Sequence, residues 1–198
     1  MPGLTTPFVL SNQGSDRATA YASSNKSVTI NGKTHVVWTD AVAWTRGRTF
    51  DHATQKWGDT VNLGEGTDNH NSPSLSADEK GRLHLAFGPH GTWQRYEDGH
   101  PRGCFKYLVS PKPNSFAGMA DNVDAFGYHG TYPSLMCAPG GACIAYRGGE
   151  APYGTQFQRV NRVGGWSPAR ELMRMDIEPQ YTHWGSIVAA DRNGAVYV

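Results

Sequence analysis

The chain has 198 residues, of which 38% are hydrophobic and 18% are charged, and this composition excludes a disordered chain. Its formal net charge of +1 provides no basic field for nucleic acid, so we expect no nucleic-acid partner. No apolar run approaches the roughly 20 residues that a membrane-spanning helix needs, so we expect no membrane partner.

Glycine and proline are frequent, with 24 and 12 residues, and 11% of the chain is aromatic. This mixture predicts many short strands joined by turns. The first residues, 1–14, lack a basic start followed by an apolar stretch, so we expect no signal peptide in this chain.

Four segments share one pattern, in which a turn glycine is followed by an alternating or apolar strand. The glycines recur about every 50 to 60 residues. Three copies are preceded by another short strand, and each complete copy is followed by an outer strand, a turn and an aromatic residue. The four segments are residues 32–38, 81–87, 141–146 and 194–198, and the preceding strands are residues 74–76, 134–136 and 186–188.

A period of about 50 residues that contains several short strands is typical of propeller blades. The two-residue alternation favours strands throughout, and the one helical stretch that we predict is residues 169–175. The predicted fold is therefore all-β, a β-propeller with four-stranded blades. A pair of immunoglobulin-like sandwiches is the alternative, because sandwiches also contain regular short strands, but the phasing of the repeat favours blades.

Propellers close with roughly four to eight blades, whereas this chain contains three copies of the repeat and the start of a fourth. We therefore predict one domain over residues 1–198, a partial propeller that forms the N-terminal part of a larger one. A signal peptide and the closing blades would then lie outside this sequence. We expect the full-length protein to be secreted or periplasmic, and monomeric.

Three cysteines are too few for a disulfide scaffold. Cys137 and Cys143 flank a turn and could face each other across a hairpin, but we predict buried free thiols. A metal site that uses His100 and Cys104 is the alternative role for a cysteine, although no paired Cys/His spacing supports it. We expect no cofactor, and the sequence leaves a structural metal ion open.

Two histidines lie in polar, turn-rich segments at the ends of predicted strands. His70 lies in residues 68–74 (DNHNSPS) and His90 in residues 88–91 (GPHG). The residues between them predict a hairpin, which returns its ends to one place, so both imidazoles could face one site. Because histidine titrates near neutral pH, the pair is a candidate for proton transfer on a polar substrate. The alternative is two histidines that order loops through hydrogen bonds.

Two further histidines, His35 and His84, lie within strands at the same position of the repeat, so we predict structural roles for them. Residues 78–81 and 191–194 resemble the turn of a sialidase-type Asp box, although neither fits its full pattern. In such turns the aspartate accepts backbone N–H groups and the glycine supplies a positive φ, so we assign them no catalytic role.

Tyr132 and Arg147 belong to the third repeat. Tyr132 lies at the entry to the third blade, as Asn71 does in the second, and Arg147 follows a strand as His90 does. Propeller symmetry then places reactive side chains at equivalent ends of neighbouring blades. Tyr181 enters the fourth copy in a similar way and is a further candidate.

These motifs resemble those of BNR-repeat propeller proteins, which include the ulvan lyases of polysaccharide lyase families 24 and 25. The resemblance is carried by residues 68–73 (DNHNSP), 88–90 (GPH), 131–133 (TYP) and 146–147 (YR), and it extends over roughly residues 20–198. It implies β-elimination on an acidic polysaccharide that contains uronic acid.

That reaction needs a neutralised C5 carboxylate, a base for the C5 proton and an acid for the departing O4. The resemblance implies that His70 is the base and Tyr132 the acid, although the sequence leaves open which of the two takes the proton. It implies that His90 and Arg147 hold the carboxylate, since the arginine fork binds carboxylates at two points. Asn71 and Tyr181 would complete the substrate-binding set.

Two other functions stay open. The first is a non-catalytic glycan-binding propeller, which keeps the fold and the aromatic residues without turnover. The second is a sialidase-like glycoside hydrolase, which would need a cluster of arginines and a carboxylate acid/base pair. Arginines are present at Arg147, Arg159 and Arg162, but no matching Asp/Glu constellation is evident, so we rank this function last.

Overall fold

The computed structural model describes residues 7–66, 68–88, 105–121, 123–126, 130–148, 156–162, 165–174, 188–191, 193 and 195–197. Within these ranges the strands pair in antiparallel sheets, and the helical segment there is one short 3-10 helix, Met119–Asp121. No helix in the described ranges is long and apolar enough to cross a membrane.

The first sheet follows chain order and ends in a split edge. Its strands β1, β2 and β3 lie side by side, and both β4 and β5 pair with β3 at its two ends. The turn between β1 and β2 has positive φ at Asn31 and Gly32, 46° and 73°, which is the backbone that a tight two-residue hairpin requires. The strands are β1 (Ser27–Ile30), β2 (Lys33–Thr39), β3 (Trp44–Asp51), β4 (Lys56–Trp57) and β5 (Val61–Glu65).

The second and third sheets also follow chain order, and the third ends in the same split edge. The second sheet has the order β6-β7-β8-β9, and the third has the order β10-β11-β12 with β13 and β14 both paired to β12. Their strands are β6 (Ser74–Ala77), β7 (Leu83–Phe87), β8 (Phe105–Val109), β9 (Val123–Phe126), β10 (Gly130–Ala138), β11 (Gly141–Gly148), β12 (Gln156–Arg162), β13 (Gly165–Trp166) and β14 (Arg170–Met173). A fourth, two-stranded sheet consists of β15 (Ala189–Ala190) and β16 (Val196–Tyr197).

The prediction of a helix over residues 169–175 is wrong. Residues Arg170–Met173 form β14, in which Arg170 lies opposite Gln158 of β12. An isolated helix of one or two turns gains too few hydrogen bonds to offset the cost of nucleation. The edge of β12 offers backbone partners directly, so pairing prevails over the local pattern.

Neighbouring sheets pack face to face, and β7 is buried on both of its faces. Leu83, Leu85 and Phe87 join a core cluster with Val37 and Leu63 of the first sheet. The intervening Ala86 instead joins a second cluster with residues of the third sheet, among them Leu135, Ile144 and Tyr146. The two-residue period of a strand thus divides β7 between two cores.

The third sheet is divided in the same way. Ala142, Ile144 and Tyr146 of β11 face the second sheet, whereas Cys143 and Ala145 pack with Val188, which directly precedes β15. Serine hydroxyls also form hydrogen bonds between neighbouring sheets.

The Ser74 hydroxyl accepts the backbone N–H of Leu135 at 2.9 Å, and the Ser134 hydroxyl accepts that of Val188 at 3.0 Å. The same contact therefore recurs from the second sheet to the third and from the third towards the fourth.

The cysteines that the structure describes, Cys137 and Cys143, are free thiols as predicted; Cys143 is buried, whereas Cys137 is only partly buried. They are not cross-strand partners, because Cys137 pairs with Ala142 and Cys143 with Met136. Burial raises the pKa of the Cys137 thiol to about 12, so it stays protonated at neutral pH.

The structural roles predicted for two histidines and two aspartate turns are also confirmed. The His35 ring contacts Thr49 Oγ1 at 2.9 Å and Asn114 Oδ1 at 2.8 Å, and the His84 ring contacts Tyr107 and Asp78. Asp78 Oδ1 accepts the N–H groups of Lys80 and Arg82, at 3.0 and 2.8 Å. Asp191 Oδ1 accepts those of Asn193 and Ala195, at 2.8 and 3.0 Å.

The packing of β7 generates a stability prediction. We expect Leu85→Ala to lower the free energy of unfolding by about 2–5 kcal/mol, because it leaves a cavity between the first two sheets. Urea denaturation followed by circular dichroism measures this loss. The matched control is Val42→Ala at a side chain that is 67% exposed, where we expect a change within about 0.5 kcal/mol. Equal effects at the two positions would contradict the assignment of Leu85 to the core.

Candidate functional site

The loop that carries His70 leads into β6 and turns on an aspartate. Asp68 Oδ1 accepts the backbone N–H of His70 at 2.7 Å and lies 3.2 Å from its Nδ1. When Nδ1–H is donated to this carboxylate, Nε2 carries the lone pair of the ring. In that tautomer Nε2 is the acceptor nitrogen of the ring that Asp68 orients, and 19% of the His70 side chain is exposed.

Asn71 anchors this loop on the first sheet. Its side chain is fully buried, and Nδ2 donates to Thr45 Oγ1 at 2.9 Å and to the Ala43 carbonyl at 3.3 Å. Its own carbonyl accepts the Thr39 hydroxyl at 3.1 Å. Its Oδ1 is buried with no hydrogen-bond partner among the described residues. These contacts give Asn71 a structural role, and its role in substrate binding stays a prediction.

Tyr132 occupies an irregular point in β10. The register between β10 and β11 shifts between Thr131 and Ser134, and Tyr132 has a φ of +54°. A bulky residue rarely adopts this backbone, and such strain is concentrated at functional sites. The bulge re-aims the side chain, which is fully buried, so that its ring lies under the Arg147 guanidinium.

Arg147 reaches Tyr132 from the neighbouring strand. Its backbone pairs with Thr131 across β10 and β11, and its Cζ lies 4.5 Å from the centroid of the Tyr132 ring. Arg147 is 3% exposed. The register of the third sheet therefore places a buried cation against the face of a buried phenol.

Tyr21 is a site residue that the sequence reasoning missed. Its ring centroid lies 4.6 Å from that of Tyr132 and 6.2 Å from that of His70, so this side chain brings the two predicted residues together. Its φ is +68°, and its hydroxyl accepts a hydrogen bond from Arg17 at 2.5 Å. That bond raises the pKa of Arg17. Tyr21 lies before the first repeat, so no pattern in the sequence points to it.

A second contact fixes the same N-terminal segment to the His70 loop. Asn69 Nδ2 donates to Asp16 Oδ1 at 2.8 Å. The site thus combines the N-terminal segment, the entry to the second sheet and the entry to the third. His70, Tyr21, Tyr132 and Arg147 form one continuous group of side chains, which we call the tyrosine–histidine cluster.

Two predicted residues, His90 and Tyr181, lie outside the described residues, as do His100 and Cys104 of the alternative metal site. Within the described part of the chain, no group of three or more His, Cys, Asp or Glu side chains could hold a metal ion.

A cavity of about 390 Å³ lies between the second and third sheets, lined by residues that include Asp78, His84, Tyr107, Gly141 and Arg162. It opens at the β6–β7 and β10–β11 turns, whereas His70 and Tyr132 lie at the opposite ends of these strands. The cavity therefore does not serve the tyrosine–histidine cluster.

Comparison with known protein families identifies the family of this chain. Residues 18–166, more than half of the chain, match the family described as BNR repeat-containing family member. The chain belongs to this family. The matched residues include His70, Tyr132, Arg147 and Tyr21.

A curated relative is an ulvan lyase from Nonlabens ulvanivorans, which is 27% identical over 139 residues. That alignment covers 61% of this chain and 29% of the relative. The chain of this BNR-repeat protein therefore spans about a third of the length of that relative.

Two solved structures share the fold. One is a PL25 ulvan lyase bound to -[GlcA(1-4)Rha3S]-, with a TM-score of 0.66 and 18% identity, covering 84% of this chain and 42% of that one. The other is a PL25 ulvan lyase structure with a TM-score of 0.65 and 17% identity, with the same two coverages of 84% and 42%. This similarity establishes an all-β fold of antiparallel sheets like that of ulvan lyases.

The anchoring of the His70 loop generates the second prediction. We expect Asn71→Ala to destabilise the protein by about 1–3 kcal/mol, because it leaves Thr45 and the Ala43 carbonyl without a buried donor. The measurement is urea denaturation. Asn12→Ala, at an exposed asparagine, is the control and should change stability by less than about 0.5 kcal/mol. A neutral Asn71→Ala would show that the loop does not depend on this side chain.

Proposed function

We propose that the protein is a polysaccharide lyase that cleaves a uronic-acid-containing, ulvan-like glycan by β-elimination. The observation that carries the proposal is the tyrosine–histidine cluster, in which an oriented imidazole, a phenol and a buried guanidinium meet in a chain of the BNR repeat-containing family. The similarity to ulvan lyases supports the class of substrate.

The reaction needs groups of the kinds that this cluster contains. The bond between C5 and its proton breaks, the bond between C4 and O4 breaks, and a double bond forms between C4 and C5. The base takes the C5 proton, and the acid gives a proton to the departing O4, so no other reactant is consumed. The carboxylate at C5 carries the developing charge, and a cation beside it lowers the barrier.

We assign the base to His70 and the acid to Tyr132. The contact between Asp68 and Nδ1 orients the His70 ring and favours proton uptake at Nε2. The guanidinium of Arg147 over the Tyr132 ring stabilises the negative charge that the phenol acquires when it gives up its proton. Tyr21 separates the two and sets their spacing.

We propose that Arg147, together with His90, binds the carboxylate of the substrate. Arg147 is buried beside Tyr132, and its planar guanidinium can bind a carboxylate at two points. Asn71 and Tyr181 complete the proposed substrate-binding set.

We also propose that the sheets are blades of a β-propeller, three of them with a fourth begun by β15 and β16. The support is the repeated arrangement: each larger sheet has four strand positions, and successive sheets pack face to face in chain order. In such an arrangement the strand entries of adjacent blades lie side by side, as those of His70 and Tyr132 do.

The first test of this function is ultraviolet absorbance during incubation with ulvan and other uronate polysaccharides, since elimination creates a conjugated double bond and hydrolysis does not. We expect the wild-type protein to raise the absorbance and His70→Ala to lower the rate by about 10²- to 10⁴-fold, the usual contribution of a general base.

His52→Ala is the matched control, because His52 is exposed and lies in the turn between β3 and β4, away from the cluster. This control should keep full activity. A folded wild-type protein that binds these glycans but gives no absorbance change would refute the lyase and support the glycan-binding alternative.

A second test addresses the proposed binding of the substrate carboxylate by Arg147. Arg147→Lys keeps the positive charge but loses the planar fork, so we expect KM for the uronate polysaccharide to rise about 10-fold or more. Steady-state kinetics on the folded variant measures the change. Arg162→Lys, at an exposed arginine of β12, should leave KM unchanged. An unchanged KM in Arg147→Lys would remove Arg147 from carboxylate binding.

A further inference from the structure

Lys26 is a half-buried lysine that has no acidic partner among the described residues. It lies directly before β1, and none of the described residues forms an ion pair with it. Its Nζ instead donates to three oxygens, the Pro73 carbonyl at 2.9 Å, the Ser72 hydroxyl at 3.2 Å and the Ser24 carbonyl at 3.3 Å. A half-buried ammonium group that donates only to neutral oxygens is partly removed from water without a counter-charge, so this arrangement requires a reason.

The acceptors of Lys26 lead to both reacting groups of the proposed site. Ser72 and Pro73 belong to the loop that carries His70, two and three positions further along the chain. The Ser72 hydroxyl donates to the Ser24 hydroxyl at 2.7 Å, and the Ser24 hydroxyl donates to the Pro133 carbonyl at 2.5 Å. Pro133 directly follows Tyr132 in the bulge of β10.

The number of hydrogens on Nζ matches this arrangement. An ammonium group has three hydrogens for the three acceptors, whereas a neutral amine has two. Burial lowers the pKa of Lys26 to about 7, so the third hydrogen is lost as the pH rises through neutrality.

We propose that Lys26 is a positioning residue, whose ammonium group holds the His70 loop and the Tyr132 bulge at a fixed distance from each other. The proposal rests on the proposed lyase function. Lys26 acts through Ser72, Ser24 and the two backbone carbonyls. One side chain thus couples the entries of two neighbouring sheets.

The pH dependence of kcat reflects Lys26 together with the charged and titratable groups near it. Lys26 contacts the loop that carries His70, and the hydrogen-bonded chain from Lys26 ends at Pro133. Pro133 follows Tyr132, whose ring contacts Tyr21 and Arg147. If His70 is the base, its deprotonation raises the rate with increasing pH. Loss of the third hydrogen of Lys26 loosens the coupling and lowers kcat as pH rises above about 7.

The test compares Lys26→Met and Lys26→Arg with Lys56→Met, which changes an exposed lysine of the first sheet. With a uronate polysaccharide, we expect Lys26→Met to lower kcat about 10- to 100-fold below pH 7 with little change in KM, because misplacement of the reacting groups affects the chemical step. Its pH profile should lack the fall of kcat above about pH 7 that deprotonation of Lys26 causes. Lys26→Arg should recover part of kcat and also lack the fall, since guanidinium stays charged.

A second measurement separates this proposal from the lyase function. In ¹³C NMR spectra of the protein without substrate, we expect Lys26→Met to shift the ring signals of both His70 and Tyr132, and Lys56→Met to shift neither. If the wild-type protein gives no elimination, the lyase function fails, and these spectra alone decide the role of Lys26.

Unchanged kcat and unchanged ring signals in folded Lys26→Met would overturn the proposal, as would a loss of stability without either change. Should Lys26→Met fail to fold, Ser72→Ala interrupts the same hydrogen-bonded chain while it keeps the ammonium group. It should lower kcat and shift the Tyr132 signals, and the absence of both effects would also overturn the proposal.

Discussion

The packing of strands that are buried on both faces is the constraint on which the rest of the structure depends. In β7, Leu85 faces the first sheet and Ala86 the third, so a slip of one residue would exchange a large side chain for a small one in two cores at once. The register of the second sheet is therefore fixed by its two neighbours. Because the registers are fixed, the loops at one set of strand ends come to lie beside each other, and the tyrosine–histidine cluster forms there.

The cluster contains strained backbone conformations, which polar contacts and packing hold in place. Tyr21 and Tyr132 both have positive φ, and their rings lie against each other. Such conformations cost free energy and persist only where the surroundings impose them. Here the surroundings are the bulge of β10, the hydrogen bond from Arg17 and the chain of donors that begins at Lys26. The stability of the sheets thus supports a strained arrangement of reactive groups.

Sequence patterns predicted much of the fold because the patterns arise from local chemistry. The turns at Asp78 and Asp191 depend on a carboxylate that accepts nearby N–H groups, so they can be recognised without a structure. The equivalent strand positions of His35 and His84 likewise indicated structural roles. Residues 169–175 show where local reasoning fails, since the free edge of β12 determined the conformation of Arg170–Met173. Of the candidate site, the sequence pointed to His70 through its polar, turn-rich segment, and to Tyr132 and Arg147 through their places in the third repeat. The catalytic roles of these residues stay predictions.

The sequence by itself determined the repeat, its strands and turns, and the family to which the chain belongs, because all of these depend on residues close together in the chain. Only the tertiary structure decided that Tyr21 lies against Tyr132 and that Lys26 couples two sheets. These contacts join residues far apart in the sequence, as Ser24 and Pro133 are, at 109 positions. The N-terminal segment has no period and no repeat partner. Its place follows from which buried donors and acceptors it can satisfy once the sheets have packed.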